Sequence, residues 1–229
     1  MIVVTGAAGF IGSMVAASLN DHGRDDLILV DDFSKKEKER NYVDLKYNAL
    51  VDRDVFFDWF KENHHDVDFV VHLGARTDTT EFDWNVFQKL NVDYTQTMFC
   101  LCSDYHIPLV YASSAATYGN GELGYDDSHD VVEKLNPLNP YGRSKNEVDK
   151  WILNRMNQVI TKVNKNYDKY ELGEVARVIY NFTWDDFASW YVELSKVTFA
   201  KENSNKINTC AILNKVSREM PRTVPVPST

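Results

Sequence analysis

The hydrophobic and polar positions up to about residue 150 read as strands alternating with helices. Ile2, Val3 and Val4 form a short β-branched run, the pattern of a strand covered on both faces. Ile11, Val15 and Leu19 then recur at four-residue spacing, which predicts a helix. Residues 27–30 (Leu, Ile, Leu, Val) read as a second strand ending at Asp31. Farther on, 54–63 reads as a helix, 69–73 as a strand, 84–105 as a long helix and 109–112 as a strand. A Gly- and Asp-rich loop spans 119–130. This alternation predicts an α/β fold, a parallel, doubly wound sheet with right-handed crossovers. Ligands of such sheets bind at the carboxyl ends of the strands. Gly74-Ala75-Arg76-Thr77 and Ser113-Ser114 sit at two of those ends.

Beyond Gly142 no glycine or proline interrupts the pattern, so one continuous helix is expected from Tyr141 to about Lys165. Ile152, Met156, Val159, Ile160 and Val163 make one apolar face of it. A second helical pattern runs through Ala176, Tyr180, Thr183, Phe187, Trp190 and Leu194. The expectation is an incomplete sheet followed by a helical hairpin. The aromatic stripe of Phe182, Phe187, Trp190 and Tyr191 reads as helix-bundle core rather than a base-stacking platform. Residues 221–229 hold three prolines and read as a disordered tail.

Composition narrows the classes. The chain has 229 residues, 44% hydrophobic and 26% charged, which suits a packed core of one large or two small domains. No apolar run reaches the ~18 residues that a membrane span needs, and the start has no basic region or cleavage site of a signal peptide. Cys100, Cys102 and Cys210 are too few for a disulfide framework and make no zinc site, so they read as buried thiols of a cytoplasmic protein with no metal. The net charge is −9, a poor balance for nucleic-acid binding. Residues 1–150 hold 26 acidic and 14 basic side chains and all six histidines, whereas 151–229 hold 8 and 11, which suggests a boundary near 150.

Two constellations carry chemistry. Gly6, Gly9 and Gly12 stand between a strand and a helix. The first allows the tight turn, the second lets the backbone approach a pyrophosphate, and the third lets the helix pack on the strand. The helix N-terminus supplies free N–H groups to the phosphates. The spacing is G-x-x-G-x-x-G rather than G-x-G-x-x-G. Asp31 lies where a carboxylate could hold ribose hydroxyls, as against a solvated turn acid. The second constellation is Ser114 with Tyr141 and Lys145. Four residues apart on a helix, Tyr141 and Lys145 share a face. A nearby ammonium favours tyrosinate, which suits Tyr141 to exchange a proton with a sugar hydroxyl, while Ser114 hydrogen-bonds the same oxygen. A lone Tyr and Lys at this spacing reads equally as a surface pair; the glycine turn and the strand-end serine argue against that.

The run VTGAAGFIGS at 4–13, Thr79-Thr80-Glu81, the stretch 111–119 and the stretch 136–145 together resemble the N-terminal part of an extended short-chain dehydrogenase/reductase. Within that family they are most similar to the ADP-L-glycero-D-manno-heptose 6-epimerases. The resemblance implies a Rossmann-like NAD(P)-binding domain over 1–150, with NADP or NAD as cofactor and a nucleotide sugar of the ADP-heptose type as substrate. It implies that Tyr141 is the catalytic acid/base, Lys145 a catalytic and cofactor contact, and Ser114 a substrate contact. Gly6, Gly9, Phe10, Ile11, Gly12, Asp31, Asp32, Lys38, Leu73, Gly74, Ala75, Arg76, Thr77 and Asn91 would touch the dinucleotide. Lys38 could neutralise a 2′-phosphate that Asp31 and Asp32 oppose.

That family carries a second portion that builds the substrate pocket and supplies a further catalytic lysine, and the resemblance fades after Lys150. Residues 151–157 and 169–196 are instead similar to valyl-tRNA synthetase, at the start of its helical anticodon-binding domain, over roughly 151–216. The signatures of aminoacylation are absent, so that activity is not implied. The expected organisation is a dinucleotide domain (1–150), a helical segment (151–220) and a tail (221–229). The expected function is that of an epimerase by ancestry, with weak or no turnover. A dinucleotide-binding remnant and an RNA-associated helical module are the alternatives. No tRNA or membrane partner is expected, and a homo-oligomer stays open.

Overall fold

A computed structural model describes residues 1–126, 128–169, 171, 173, 174, 177 and 178. Five parallel strands, β1 (Ile2–Thr5), β2 (Leu27–Asp31), β3 (Ala49–Asp52), β4 (Phe69–His72) and β5 (Leu109–Tyr111), form one sheet in the order β3-β2-β1-β4-β5. β1 is central, with Val4 opposite both Leu29 and Val71. The apolar runs of β1 and β2 follow from this position, since every residue of both strands is buried.

Helices lie between the strands and follow the last of them. They are α1 (Phe10–Asp21), α2 (Phe56–Asn63), α3 (Trp84–Phe87), α4 (Tyr94–Asp104), the single turn α5 (His129–Val132) and the long α6 (Pro140–Asp168). On one face of the sheet Ile2, Val4, Leu27 and Leu29 pack with Ala16 and Leu19 of α1. The alternate residues Val3, Ile28, Val30 and Val70 face the other way and are equally buried. Phe56, Phe60, Phe87 and Met98, from α2, α3 and α4, are among the largest fully buried side chains outside the first cluster.

The expected long helix over 84–105 is present, but a π turn over Gln88–Asp93 joins α3 to α4. The expected helix beyond Tyr141 runs unbroken as α6. It starts where Asn139 accepts a hydrogen bond from Gly142 N–H at 2.8 Å and Pro140 takes the first helical position. The sequence pattern does not announce β3. It is a partly exposed edge strand with no β-branched run, and it pairs only with β2. Contacts divide the chain into Met1–Leu153 and Asn154–Thr229. Apart from residues 177 and 178, the expected second helix of the hairpin lies outside the described residues, as does the tail at 221–229. Among the described residues no helix is long and apolar enough to cross a membrane.

Phe60 lies 5.4 Å from the Phe56 ring and 6.2 Å from that of Tyr105, with no exposed surface. Phe60→Ala is expected to lower the unfolding free energy by about 3–5 kcal/mol in urea titration. Val55→Ala, at a side chain 57% exposed, should change it by under about 0.5 kcal/mol.

Candidate active site

The turn between β1 and α1 is a stack of close backbone contacts. Gly6 has φ +69°, and a Cβ on it would lie 2.8 Å from the backbone of Gly74, just past β4. A Cβ on Gly12 would lie 2.1 Å from the Gly6 carbonyl oxygen, so α1 rests directly on the turn. Leu73 N–H donates to the Thr5 carbonyl and Gly74 N–H to Thr5 Oγ1, which fastens the 73–77 loop beside it. No side chain caps α1, no acidic residue stands in its first turn, and Phe10 (82% exposed) and Ile11 project outward. The positive end of the helix is therefore left for an external anion.

At the end of β2, Asp31 is buried. Its Oδ2 accepts from Ala8 N–H at 3.0 Å, and its Oδ1 accepts from Asp32 N–H at 2.8 Å and Lys38 Nζ at 3.0 Å. Asp31 thus closes the glycine turn and pairs with Lys38. Asp32 accepts from the Ser34 hydroxyl, which is the main reason its carboxyl is held below the ordinary range, and Arg53 stands 3.5 Å away. Arg53 lies just beyond β3, and no motif in the sequence marks it.

Ser114 ends the segment after β5. Its Oγ accepts from Ala116 N–H at 3.2 Å, which leaves the hydroxyl proton to donate elsewhere. The 3₁₀ turn Ala115–Tyr118 comes next. Gly142 in the first turn of α6 lies so near it that a Cβ there would come 2.5 Å from the Ala116 carbonyl oxygen. This close approach sets Tyr141 beside the Ser114 segment.

Lys145 is 3% exposed. Its Nζ donates to the Ala112 carbonyl at 2.8 Å and lies 4.8 Å from the centre of the Tyr111 ring. Burial pushes the ammonium down to about 8, against the pull of Asp149. Asp149, one turn later, accepts from Ser113 Oγ at 2.6 Å and Tyr111 OH at 3.3 Å. Burial raises its carboxyl, while those two donors and Lys145 hold it down. Burial likewise pushes Tyr111 up, with Asp149 and Tyr141 adding to the rise.

Asn91 sits in the π turn with almost no exposed surface. Its Oδ1 accepts from Arg76 N–H at 2.7 Å, and its Nδ2 donates to the Arg76 carbonyl and to Ser144 Oγ at 2.8 Å. Ser144 Oγ in turn donates to the Tyr141 carbonyl. Every amide hydrogen of Asn91 is engaged, so the side chain ties the 73–77 loop to α6. π turns of this kind recur at functional sites.

His72 completes the floor. Thr5 Oγ1, which accepts from Gly74 N–H, is hydrogen-bonded to His72 Nδ1 at 2.6 Å, and Nε2 is hydrogen-bonded to Thr95 Oγ1 at 2.9 Å, so both ring nitrogens are engaged. Burial, helped by Lys145, holds this imidazole at about 3, and it is neutral. The structure thus gathers the glycine turn, the 73–77 loop and the end of β5 along one edge of the sheet, with α6 across them. A cleft of about 610 Å³ opens next to Ser114, lined also by Thr117, Tyr118, His129 and Asp149. Asp149 belongs to the site without any motif to mark it, while Tyr111 and Ser144 lie inside the resembling stretches but are assigned no role by them. Only the spacing of Asp149, four residues after Lys145, could have signalled it.

The family resemblance is independent of this geometry and agrees with it. The model of the NAD dependent epimerase/dehydratase family matches residues 2–167. That of the anticodon-binding domain of tRNA ligase matches residues 149–222, consistent with the synthetase-like stretch. The ADP-L-glycero-D-manno-heptose-6-epimerase of Fusobacterium nucleatum is 42% identical over 162 residues, covering 69% of this chain and 49% of that protein. Its namesake from Nitratidesulfovibrio vulgaris is 42% identical over 153 residues, covering 66% and 47%. Among solved structures, the Helicobacter pylori ADP-L-glycero-D-manno-heptose-6-epimerase matches with TM-score 0.56 and 26% identity, covering 67% of this chain and 50% of that one. A Bacillus cereus UDP-glucuronic acid 4-epimerase solved with NAD shares the fold at TM-score 0.52 and 24% identity, covering 65% and 50%. The chain spans about half the length of the curated relatives it matches. With the sheet order, the glycine turn and a match over residues 2–167, the chain belongs to the NAD dependent epimerase/dehydratase family.

Proposed function

We propose that residues 1–150 hold NAD or NADP, that the substrate is a nucleotide sugar of the ADP-heptose type, and that this chain turns it over slowly or not at all. The observation that carries this reading is the convergence of the uncapped α1 N-terminus, the 73–77 loop and the group Ser114, Tyr141 and Lys145 on one edge of the sheet. The heptose-type substrate rests on the relatives' names and their 42% identity.

The residues present fit a dinucleotide. The turn at Gly9 has no side chain where a pyrophosphate would lie, and a Cβ there would already meet the Gly6 carbonyl oxygen at 3.2 Å. A carboxylate offers about four acceptor positions. Asp31 uses three of them, leaving one on Oδ2 for a ribose hydroxyl. Lys38 stands at the same place with a charge that suits a phosphate. Bound there, the nicotinamide supplies hydride acceptance and return at one sugar carbon. Tyr141 moves the proton of the sugar hydroxyl, Ser114 donates a hydrogen bond to that oxygen, and Lys145 brings positive charge to the transfer. Slow turnover is the consequence of the portion that the matched half leaves out. The relatives are about twice as long as the region they share with this chain, and an open site forfeits orientation worth up to ~7–11 kcal/mol.

A second reading, an RNA-associated helical module over 149–222, is favoured by the anticodon-binding match. The small basic excess beyond residue 150 argues against it. A tRNA gel shift that weakens steeply with salt would support it.

Mass spectrometry of the purified chain is expected to find NAD or NADP. Gly9→Val should lose it while keeping a cooperative thermal transition, and a folded Gly9→Val protein with unchanged affinity would refute the cofactor site. Lys145 is charged at pH 7 and loses its proton as pH rises through about 8. Dinucleotide affinity measured by calorimetry should therefore fall between pH 7 and 9, and Lys145→Met should remove that slope. In a steady-state assay with ADP-heptose, turnover should lie well below the ordinary ~1–10 s⁻¹. A rate in that range that disappears in Tyr141→Phe would show that residues 151–229 complete the pocket.

A further inference from the structure

We propose that Asp149 is a positioning residue: by accepting hydrogen bonds from Tyr111 and Ser113 it clamps α6 to the exit of β5 and so sets the place and charge of Lys145 and the place of Ser114. The inference rests on the proposed function for its purpose, and on the geometry alone for its existence.

Three consecutive residues at the exit of β5 are held by two side chains of α6. Tyr111 OH and Ser113 Oγ each donate to one oxygen of Asp149, and the carbonyl of Ala112 between them accepts from Lys145 Nζ. Ser114 comes directly after them, so its hydroxyl is carried on a segment that cannot slide along the helix while these bonds stand. Tyr111 is also a relay. Its hydroxyl donates to the carboxylate, which enriches the ring in electrons, and the ring lies 4.8 Å from the Lys145 ammonium.

The groups that act on Lys145 come from three elements. β4 offers His72, which is neutral, and β5 offers Tyr111, whose phenol burial keeps protonated. α6 offers Tyr141 and Asp149. Among the described residues Asp149 is the anion that favours the charged form of Lys145 against burial. A buried ammonium with one carbonyl acceptor and one ring face needs such a counter-charge.

The test is carbon-detected NMR of lysine side chains in the full chain without added nucleotide, with Lys145→Met used to assign the Lys145 signal. The wild-type midpoint should lie near 8. In Asp149→Asn, which keeps the shape and removes the charge, it should fall by about one pH unit. Tyr111→Phe should give a smaller fall. A midpoint unchanged or raised in a folded Asp149→Asn protein overturns the proposal. Should Asp149→Asn fail to fold, the double variant Tyr111→Phe with Ser113→Ala carries the test, because it removes both donors and keeps the charge. Amide exchange at Ala112 and Ser114 should then quicken by roughly tenfold, with β1 and β2 unchanged. Equal exchange at all these sites overturns the clamp. Failure of the wild-type chain to bind NAD or NADP would refute the proposed function and leave this result standing.

Discussion

A buried ammonium cannot stand in a protein interior without partners, and Lys145 is the charge around which this site is arranged. Its bond to the Ala112 carbonyl fixes where α6 crosses the end of β5. Asp149 secures the residues on either side of that carbonyl. Ser144, the residue before Lys145, takes the Asn91 side chain and so joins α6 to the loop after β4. Gly142 then permits the last approach, because any side chain there would collide with Ala116. Tyr141 is placed by these contacts together rather than by its own helix turn.

The glycine-turn side of the site obeys a different constraint, the close passage of three backbones. The turn at Gly6, the first turn of α1 at Gly12 and the loop at Gly74 lie too near one another for side chains. Asp31 reaches across from β2 to accept the Ala8 N–H, so the second strand holds the turn of the first. The outcome is a rigid ledge beneath an open helix N-terminus. Thr5 links both halves, since it accepts from Gly74 N–H and is hydrogen-bonded to the neutral His72.

Much of this is legible in the sequence, for reasons that can be named. β1 and β2 are buried on both faces, so their apolar runs are continuous and conspicuous. The unbroken α6 follows from the lack of glycine or proline after Gly142. β3 is not legible, because an edge strand with Leu50 exposed has neither alternation nor a β-branched run. The π turn leaves no mark in a helical pattern, since it adds one residue to a turn without a breaker. Resemblance names Asn91, but its bonds to Arg76 and Ser144, residues 15 and 53 positions away, are written in no local pattern. Pairings over such separations, like that of Asp149 with Ser113, exist only once the sheet has brought β5 beneath α6.

The helix α6 also carries the join between the two resemblances. The epimerase match ends and the anticodon-binding match begins within it, at 149–167. The α6 side chains that make polar bonds in the site lie in its first three turns, at or before the start of that overlap, with Ile152 and Leu153 lining the cleft just beyond. The proposed cofactor site sets the nicotinamide against Tyr141. The most direct measurement of that claim is a set of NMR cross-relaxation contacts between bound NAD or NADP and the intact chain. Contacts are expected from the nicotinamide ring protons to the ring of Tyr141 and from the adenosine ribose to the Gly9 and Phe10 amides. A bound dinucleotide that shows the ribose contacts but places its nicotinamide away from Tyr141 would contradict it.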